Sequence, residues 1–391
     1  LSRHFYRDIT MKRLRVWLRR QRHDLIMIAC FVLACVLLAQ LNLHPRSNQA
    51  PGSKEKARVL TVDNSQVEQL GLLNTGHQEM TVEVLTGRFR GKVFPADNRL
   101  RSQMELDKLF EVGDAALVAV LDDAEPGTTV LNAQDHYRLG LSIGLFALFA
   151  SLLVLFGGLT GCKAMLSFVF SCMVIWQLVV PLCLRGHDAI AVCLAATCVL
   201  TAVIIFLVAG LNRKGLTAFS GAMLGVVASC LMAAFFTSLF KINGAVMPYS
   251  QALFYSGYEF LDLQRLYVGG IFLASSGAVM DLGMDIAAGM HEGGMHHPSI
   301  SRSKLAASGI RIGQQVVGTM TTTLLLAYSG GYLTLMMSFT ANGIPPWDFI
   351  NNPHIASEYV KTIIGSFGLV LVAPATAAVG ALIIPAGTRR D

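Results

Sequence analysis

The sequence predicts a membrane α-helical bundle of about eight transmembrane helices, with a small extracytoplasmic β-barrel-like domain inserted after the first helix. Three observations carry this. The chain is 53% hydrophobic and only 14% charged, against roughly a quarter charged in an average globular domain. The charges crowd into the first stretch and into 44–138, which leaves long apolar runs elsewhere. Several of these runs reach the roughly 20 residues needed to cross a hydrocarbon core about 30 Å thick. Finally, eight basic residues lie between Arg3 and Arg22, directly before the apolar run Leu25–Leu41. That placement is a positive-inside signal, so the formal charge of +6 points to topology and not to nucleic acid.

Each element follows in turn. Residues 1–24 form a basic cytoplasmic tail and 25–43 an anchor helix. Asn42–Arg46 holds no small-x-small cleavage pattern, so the run is expected to remain as an anchor. Residues 44–138 form the extracytoplasmic β-rich domain, opening with a polar linker over 45–57. Thr81–Leu85 alternates with period two, Arg88–Phe94 reads as a hairpin turning at Gly91, and Glu111–Asp114 as a turn into a strand over Ala115–Leu121. Short strands at this density suggest a small closed barrel of OB or SH3 type. With only Phe89 and Phe94 as strand aromatics, docking is expected here and not oligonucleotide binding.

The bundle occupies 139–386, with passes at 139–156, 164–184, 189–209, 216–240, 265–290, 305–327 and 357–385, and a cytoplasmic tail over 387–391. Lys163, Arg213, Lys214, Arg302 and Lys304 then mark cytoplasmic junctions, which places both termini inside. Ile344-Pro345-Pro346-Trp347 cannot continue a helix, so 328–356 is read as a re-entrant or interfacial element. The spacings Gly140-x-x-x-Gly144, Gly221-x-x-x-Gly225 and Gly309-x-x-x-Gly313 permit close helix approach. All eight cysteines fall in or at the ends of apolar segments without a C-x-x-C spacing, so they read as small buried apolar residues.

Ionisable residues inside the predicted helices carry the most information, because charge at such depth is costly and usually functional or paired. Asp281 and Asp285 stand four apart and share a helix face. Arg311, Gln314 and Gln315 belong to the next helix. Counting 1.5 Å per residue from helix ends near His291 and Lys304 puts Asp285 at about 9 Å and Arg311 at about 10 Å, with Asp281 and the glutamines near 15 Å. This depth match predicts an Asp285–Arg311 pair and leaves Asp281, beside Gln314 and Gln315, as the group free to take a proton or cation. A purely structural ion pair that fixes helix register is the competing reading.

His291, Glu292, His296 and His297 gather donors able to ligate a transition metal. The zinc-hydrolase helix pattern needs histidines four apart, however, and Met295 occupies that place. Gly293-Gly294 is expected to break the helix into a flexible loop, so no metal and no cofactor is expected. No nucleotide-binding loop or nucleophile elbow is present, and no enzymatic activity is expected.

The segment Gly277-Ala278-Val279-Met280-Asp281-Leu282-Gly283-Met284-Asp285-Ile286, with Met104–Lys108 in the β domain and Leu324–Tyr328, resembles the YibE/YibF family of bacterial membrane proteins over most of residues 58–386. The resemblance implies residence in a membrane. The expected function is ion-coupled transport of an unspecified substrate. The alternative is a non-transporting assembly protein whose outer domain docks a partner. Expected surroundings are the bilayer of the bacterial cytoplasmic membrane and a homo-oligomer or membrane protein partner.

Overall fold

The computed structural model describes residues 22–41, 43, 52–104 and 106–384. The expected cytoplasmic tails therefore lie outside the described residues, apart from Arg22–Asp24. The chain divides into two compact units, a strand-built one within Arg46–Leu152 and a helical one from the remainder.

In the first unit, β1 (Gly52–Asp63), β2 (Val67–Leu70), β3 (Leu73–Val84), β4 (Val93–Arg101), β5 (Ala115–Leu121) and β6 (Leu131–His136) form one sheet in the order β1-β5-β6-β4-β3-β2. β1 also pairs with β3, so five strands close into a barrel and β2 extends β3 as a short flap. Period-two side chains explain the closure. Ala57 and Val59 of β1, Met80, Val82 and Val84 of β3, and Ala116, Val118 and Val120 of β5 all point inward and are buried. Phe94 and Phe110 fill the middle, each contributing about 1.5–3 kcal/mol relative to an exposed ring.

The expected hairpin over Arg88–Phe94 is corrected. Those residues mostly form the turn between β3 and β4, where the Gly91 N–H donates to the Val84 carbonyl (2.7 Å) and the Val84 N–H to the Lys92 carbonyl (2.9 Å). Gly91 at φ 77° supplies the left-handed step. The strand Ala115–Leu121 falls where its alternation and the preceding turn at Gly113 place it.

The barrel interior also holds two amides. Gln78 and Asn98 are fully buried. The Gln78 Nε2 donates to the Phe110 carbonyl (3.0 Å) and to Asn64 Oδ1 (2.8 Å), and its Oε1 accepts from the Phe110 N–H (3.0 Å). The Asn98 Nδ2 donates to the Lys108 carbonyl (2.6 Å). The amides thus tie the long β4–β5 connection into the core, with three of their four polar ends hydrogen-bonded and the Asn98 Oδ1 buried without a partner among the described residues.

The second unit is helical. α1 (Arg22–Gln40) is followed, after the barrel, by α2 (Leu139–Val174), a π-helical stretch Ile175–Val179, and α3 (Val180–Leu184). The rise over the 46 residues Leu139–Leu184 corresponds to about 69 Å, more than twice a bilayer core. The run is broken at Gly158, whose φ of 54° and ψ of −128° are not helical. The turn is sharp enough that a Cβ on Gly161 would strike the Leu153 carbonyl. Lys163, expected in a loop between two passes, is instead helical and buried just beyond this kink.

Next come α4 (Ala189–Ala209), α5 (Arg213–Leu239), the short α6 (Ser250–Tyr255), α7 (Leu263–His296) and α8 (Arg302–Ser329). A 3-10 turn at Gly330–Tyr332 leads to α9 (Leu333–Ala341), α10 (Pro346–Asn351) and α11 (Pro353–Ile383). Five starts are capped by a side-chain oxygen that accepts a backbone N–H: Asp188, Asn212, Asp262, Ser301 and Asn352. Among the described residues six helical stretches are long and apolar enough to cross a membrane, and Ile26–Gln40 is a shorter apolar helix.

Glycine sets the packing. α11 lies against α5 and α8, and α7 against α5 and α4. A Cβ on Gly221 would fall 2.7 Å from the Thr376 Cα, and one on Gly225 2.9 Å from Val279. One on Gly313 would meet Ala373 at 2.6 Å and Ile286 at 3.2 Å, and one on Gly309 would meet Met290 at 2.5 Å. Two of the three G-x-x-x-G spacings are therefore real close approaches. Around Gly140 and Gly144 nothing lies within 4 Å of such a Cβ.

Candidate membrane-embedded polar site

α7 is enclosed by α4, α5, α8 and α11, and its buried face carries Phe272, Ser275, Val279, Leu282, Ile286 and Met290. What remains open is a narrow stripe. Gly270, Ala274, Gly277, Asp281, Asp285 and Glu292 are exposed, spaced four, three, four, four and seven, so they lie along one line. α8 leaves open Ala307, Arg311, Gln314, Gln315, Gly318, Thr319, Thr322 and Thr323. The two helices thus turn carboxylates, a guanidinium, amides and hydroxyls outward from a bundle of membrane-spanning length.

Three sequence-based expectations change here. Gly293-Gly294 does not break the helix, because α7 continues to His296. Gly294 packs inward against Ile384, 3.2 Å from a Cβ there, so burial offsets the weak helix propensity of glycine. Asp285 consequently lies eleven residues from its helix end, about 16 Å along the helix and not about 9 Å.

The relative level of the helices shifts with it. Gly313 meets Ile286 and Gly289 meets Ile312, which sets Asp285 level with Gln314 and Gln315, Asp281 level with Gly318 and Thr319, and Arg311 level with Gly289. Among the described residues the expected contacts of Asp285 with Arg311 and of Asp281 with the glutamines are therefore not made. The Arg311 Nε instead donates to the Ala307 carbonyl of its own helix (3.4 Å).

His291, Glu292 and His296 are helical, and His297 caps the helix. Glu292 and His296 are exposed one turn apart, while the His291 Nδ1 is buried without a hydrogen-bond partner. Among the described residues no three His, Cys, Asp or Glu side chains converge on a point that could hold a metal.

A second polar cluster was not singled out from the sequence. Glu358 and Lys361 on the first turns of α11 approach to 3.5 Å, and the Glu358 Oε2 is buried with no hydrogen-bond partner among the described residues. The Lys361 Nζ stands 5.1 Å from the Tyr328 ring centroid at the end of α8, within cation–π range. Next to them the Tyr267 hydroxyl donates to the Ser357 carbonyl (2.5 Å). The legible signal was the spacing Glu358-x-x-Lys361 just inside a helix opened by Asn352-Pro353. On α8 this cluster and Arg311 stand seventeen residues apart, about 25 Å, with Gln314, Gln315, Gly318, Thr319, Thr322 and Thr323 between them.

At the α3–α4 junction, Asp188 caps α4 through the Ala191 N–H (2.9 Å) and forms an ion pair with Arg265 near the start of α7.

No curated protein and no solved structure matches the chain. The family model for YibE/F-like proteins matches residues 145–386, a span that runs from α2 through α11 and holds both polar clusters. On that match the chain belongs to the YibE/F-like family.

Proposed function

We propose that the helical unit is an ion-coupled transport unit, with Asp281 the carboxylate that takes and releases a proton or cation and Asp285 its neighbour one turn away. The observation that supports this is the open polar face of α7 and α8, where two carboxylates stand among amides and hydroxyls. A carboxylate at that depth is too costly to keep for packing alone. The polar residues of α8 extend from this pair toward Glu358, Lys361 and Tyr328, which suits a path along the helix pair. The activity is not enzymatic.

In this reading the chain crosses the bacterial cytoplasmic membrane eight times. Helix α1 is the first crossing, Gly158 divides the second from the third, and both termini face the cytoplasm with the barrel outside. A membrane-impermeant maleimide should label Leu72→Cys, at the 79%-exposed tip of the β2–β3 turn, in intact cells. Labelling only after lysis would reverse the orientation.

A docking role for the barrel is the second reading, favoured by one observation. Beside the short parallel pairing of β4 and β6 runs a groove of about 720 Å³ lined by Arg99, Arg101, Lys108 and Arg138 together with Asp97, Asp107 and Asp135. Burial pushes the Lys108 amine below its ordinary value.

The transport reading is tested in proteoliposomes under an imposed membrane potential, with proton, sodium and potassium flux followed separately. The purified chain should carry one of these ions, and Asp281→Asn should abolish the flux while keeping the wild-type melting temperature. Flux equal to that of empty vesicles, or full flux in Asp281→Asn, would sink it.

A further inference from the structure

We infer that a second copy of this chain covers the open face of α7 and α8, with Arg311 of each copy set against Asp285 of the other. The inference does not depend on whether the bundle transports anything.

Two independent features support it. The first is charge. The face carries Asp281, Asp285 and Glu292 on α7 and Arg311 on α8, all exposed, so it presents both signs and Arg311 of one copy can meet a carboxylate of the other. A two-fold interface brings one patch against its own copy, residue i meeting j and j meeting i. With the axis along the membrane normal every residue keeps its depth. Arg311 lies level with Gly289, four residues from Asp285, a depth difference of about 6 Å that an extended guanidinium arm spans. Among the described residues Arg311 bonds to its own Ala307 carbonyl alone, and a lipid-facing guanidinium within the membrane is costly.

The second feature is size. Glycines on the inner faces of the bundle, such as Gly221, Gly225, Gly309, Gly313 and Gly368, each have a neighbour that a Cβ would crowd. Gly270, Gly277 and Gly318 have nothing within 4 Å, and all three lie on this same open face. Small residues in membrane helices are where another helix approaches, and the spacing Gly270-Ala274-Gly277 leads directly into Asp281. The chain's own apolar segment Leu139–Gly157 contains no ionisable residue and could not neutralise the face, which is why a second copy is the better occupant.

The experiment uses the full chain in native membranes. Ala274→Cys and Gly277→Cys should each yield a disulfide-linked dimer under mild oxidation that the eight native cysteines alone do not produce. In parallel, two differently tagged copies are co-expressed. Arg311→Glu and Asp285→Arg, each alone, set like charges against each other across the axis and should reduce self-association to background. Co-expressed, one variant per tag, they should co-purify at the wild-type level.

If neither cysteine variant forms a dimer, the inference is overturned. It is also overturned if the Asp285→Arg/Arg311→Glu double variant recovers in one chain while the two singles fail to rescue each other, since that is a pair within the chain. A different protein co-purifying in place of the second tag overturns it as well. Should the charge variants fail to fold, the cysteine traps, which leave every charge in place, decide the matter.

Discussion

Gln78 and Asn98 face each other across β3 and β4 inside the barrel, and the Asn98 Nδ2 donates to the Gln78 Oε1 over 3.0 Å. That bond orients the Gln78 amide, whose two ends then hold the Phe110 N–H and carbonyl. Asn98→Leu frees the Lys108 carbonyl and releases the Gln78 amide. The expected loss is about 1–3 kcal/mol, the cost of leaving buried polar groups unpaired. Hydrogen exchange should show it first at the Phe110 amide. Unchanged protection there would mean that the connection is held by Phe110 packing alone.

Gly221 and Gly140 make a matched pair of controls for the packing of the helices. Gly221→Ala forces α5 and α11 apart at Thr376, and overpacking of this kind costs about 1–3 kcal/mol. Gly140→Ala meets no neighbouring atom and should leave thermal unfolding in detergent unchanged. An equal effect of both substitutions would count against the α5–α11 contact.

Asp188 combines a cap and an ion pair. The Ala191 N–H, and after it the Arg265 charge, hold its carboxyl below the ordinary 3.8. A depressed carboxyl contributes stability above pH 3.8, and that contribution is lost as pH falls through the lower folded value. Asp188→Ala should cost about 1 kcal/mol, the usual worth of an N-cap. Asp188→Asn keeps the cap and should lose less, with a flatter melting temperature between pH 5 and pH 3. The same acid slope in Asp188→Asn and wild type would assign the titration elsewhere.

Glu358 and Lys361 form a mostly enclosed pair, with side-chain exposures of 15% and 28%. Lys361→Met leaves the carboxylate uncompensated and should cost about 3 kcal/mol, the lower end for breaking a buried pair. Adding Glu358→Gln should recover part of the loss. Melting temperatures of the two singles and the double close the cycle, and strict additivity would show that the two groups do not interact.

Much of the architecture was legible because membrane helices announce themselves by length and apolarity and strands by alternation. The expected starts at 216, 265, 305 and 357 fall two to four residues inside the helices, because hydropathy passes over the polar first turns that Asn212, Asp262, Ser301 and Asn352 cap. Other features depended on context that local pattern lacks. Gly293-Gly294 stays helical because Gly294 is packed against Ile384, a contact ninety residues away in sequence. Periodicity placed Asp281 and Asp285 on one face but could not say which way that face turns, since the answer depends on where α4, α5 and α11 lie. Gln78 and Asn98 look like ordinary polar strand residues until the barrel closes around them. Glu358 and Lys361 lie just inside the expected pass 357–385, and their spacing alone could not show that Tyr328 and Tyr267 would stand beside them.

Among the described residues, the Tyr267 hydroxyl reaches from α7 to the Ser357 carbonyl of α11, but the serine and threonine hydroxyls of the helical unit do not stitch helix to helix. Thr197, Thr201, Ser229 and Thr376 are buried without a hydrogen-bond partner, and Ser167, Ser171, Thr217 and Ser366 bond back to their own helices. Among the described residues the α5–α11 seam at Gly221, Gly225 and Gly368 is therefore held by close packing, with no hydrogen bond across it. Dispersion between close backbones resists separation across the seam, because every contact is lost together. It opposes sliding along the seam much less, because each contact broken is replaced by its neighbour. Such a joint resists being pulled apart more than it resists shear, so α5 can slip along α11 without breaking a hydrogen bond across their seam, while the Tyr267–Ser357 bond holds α11 to α7.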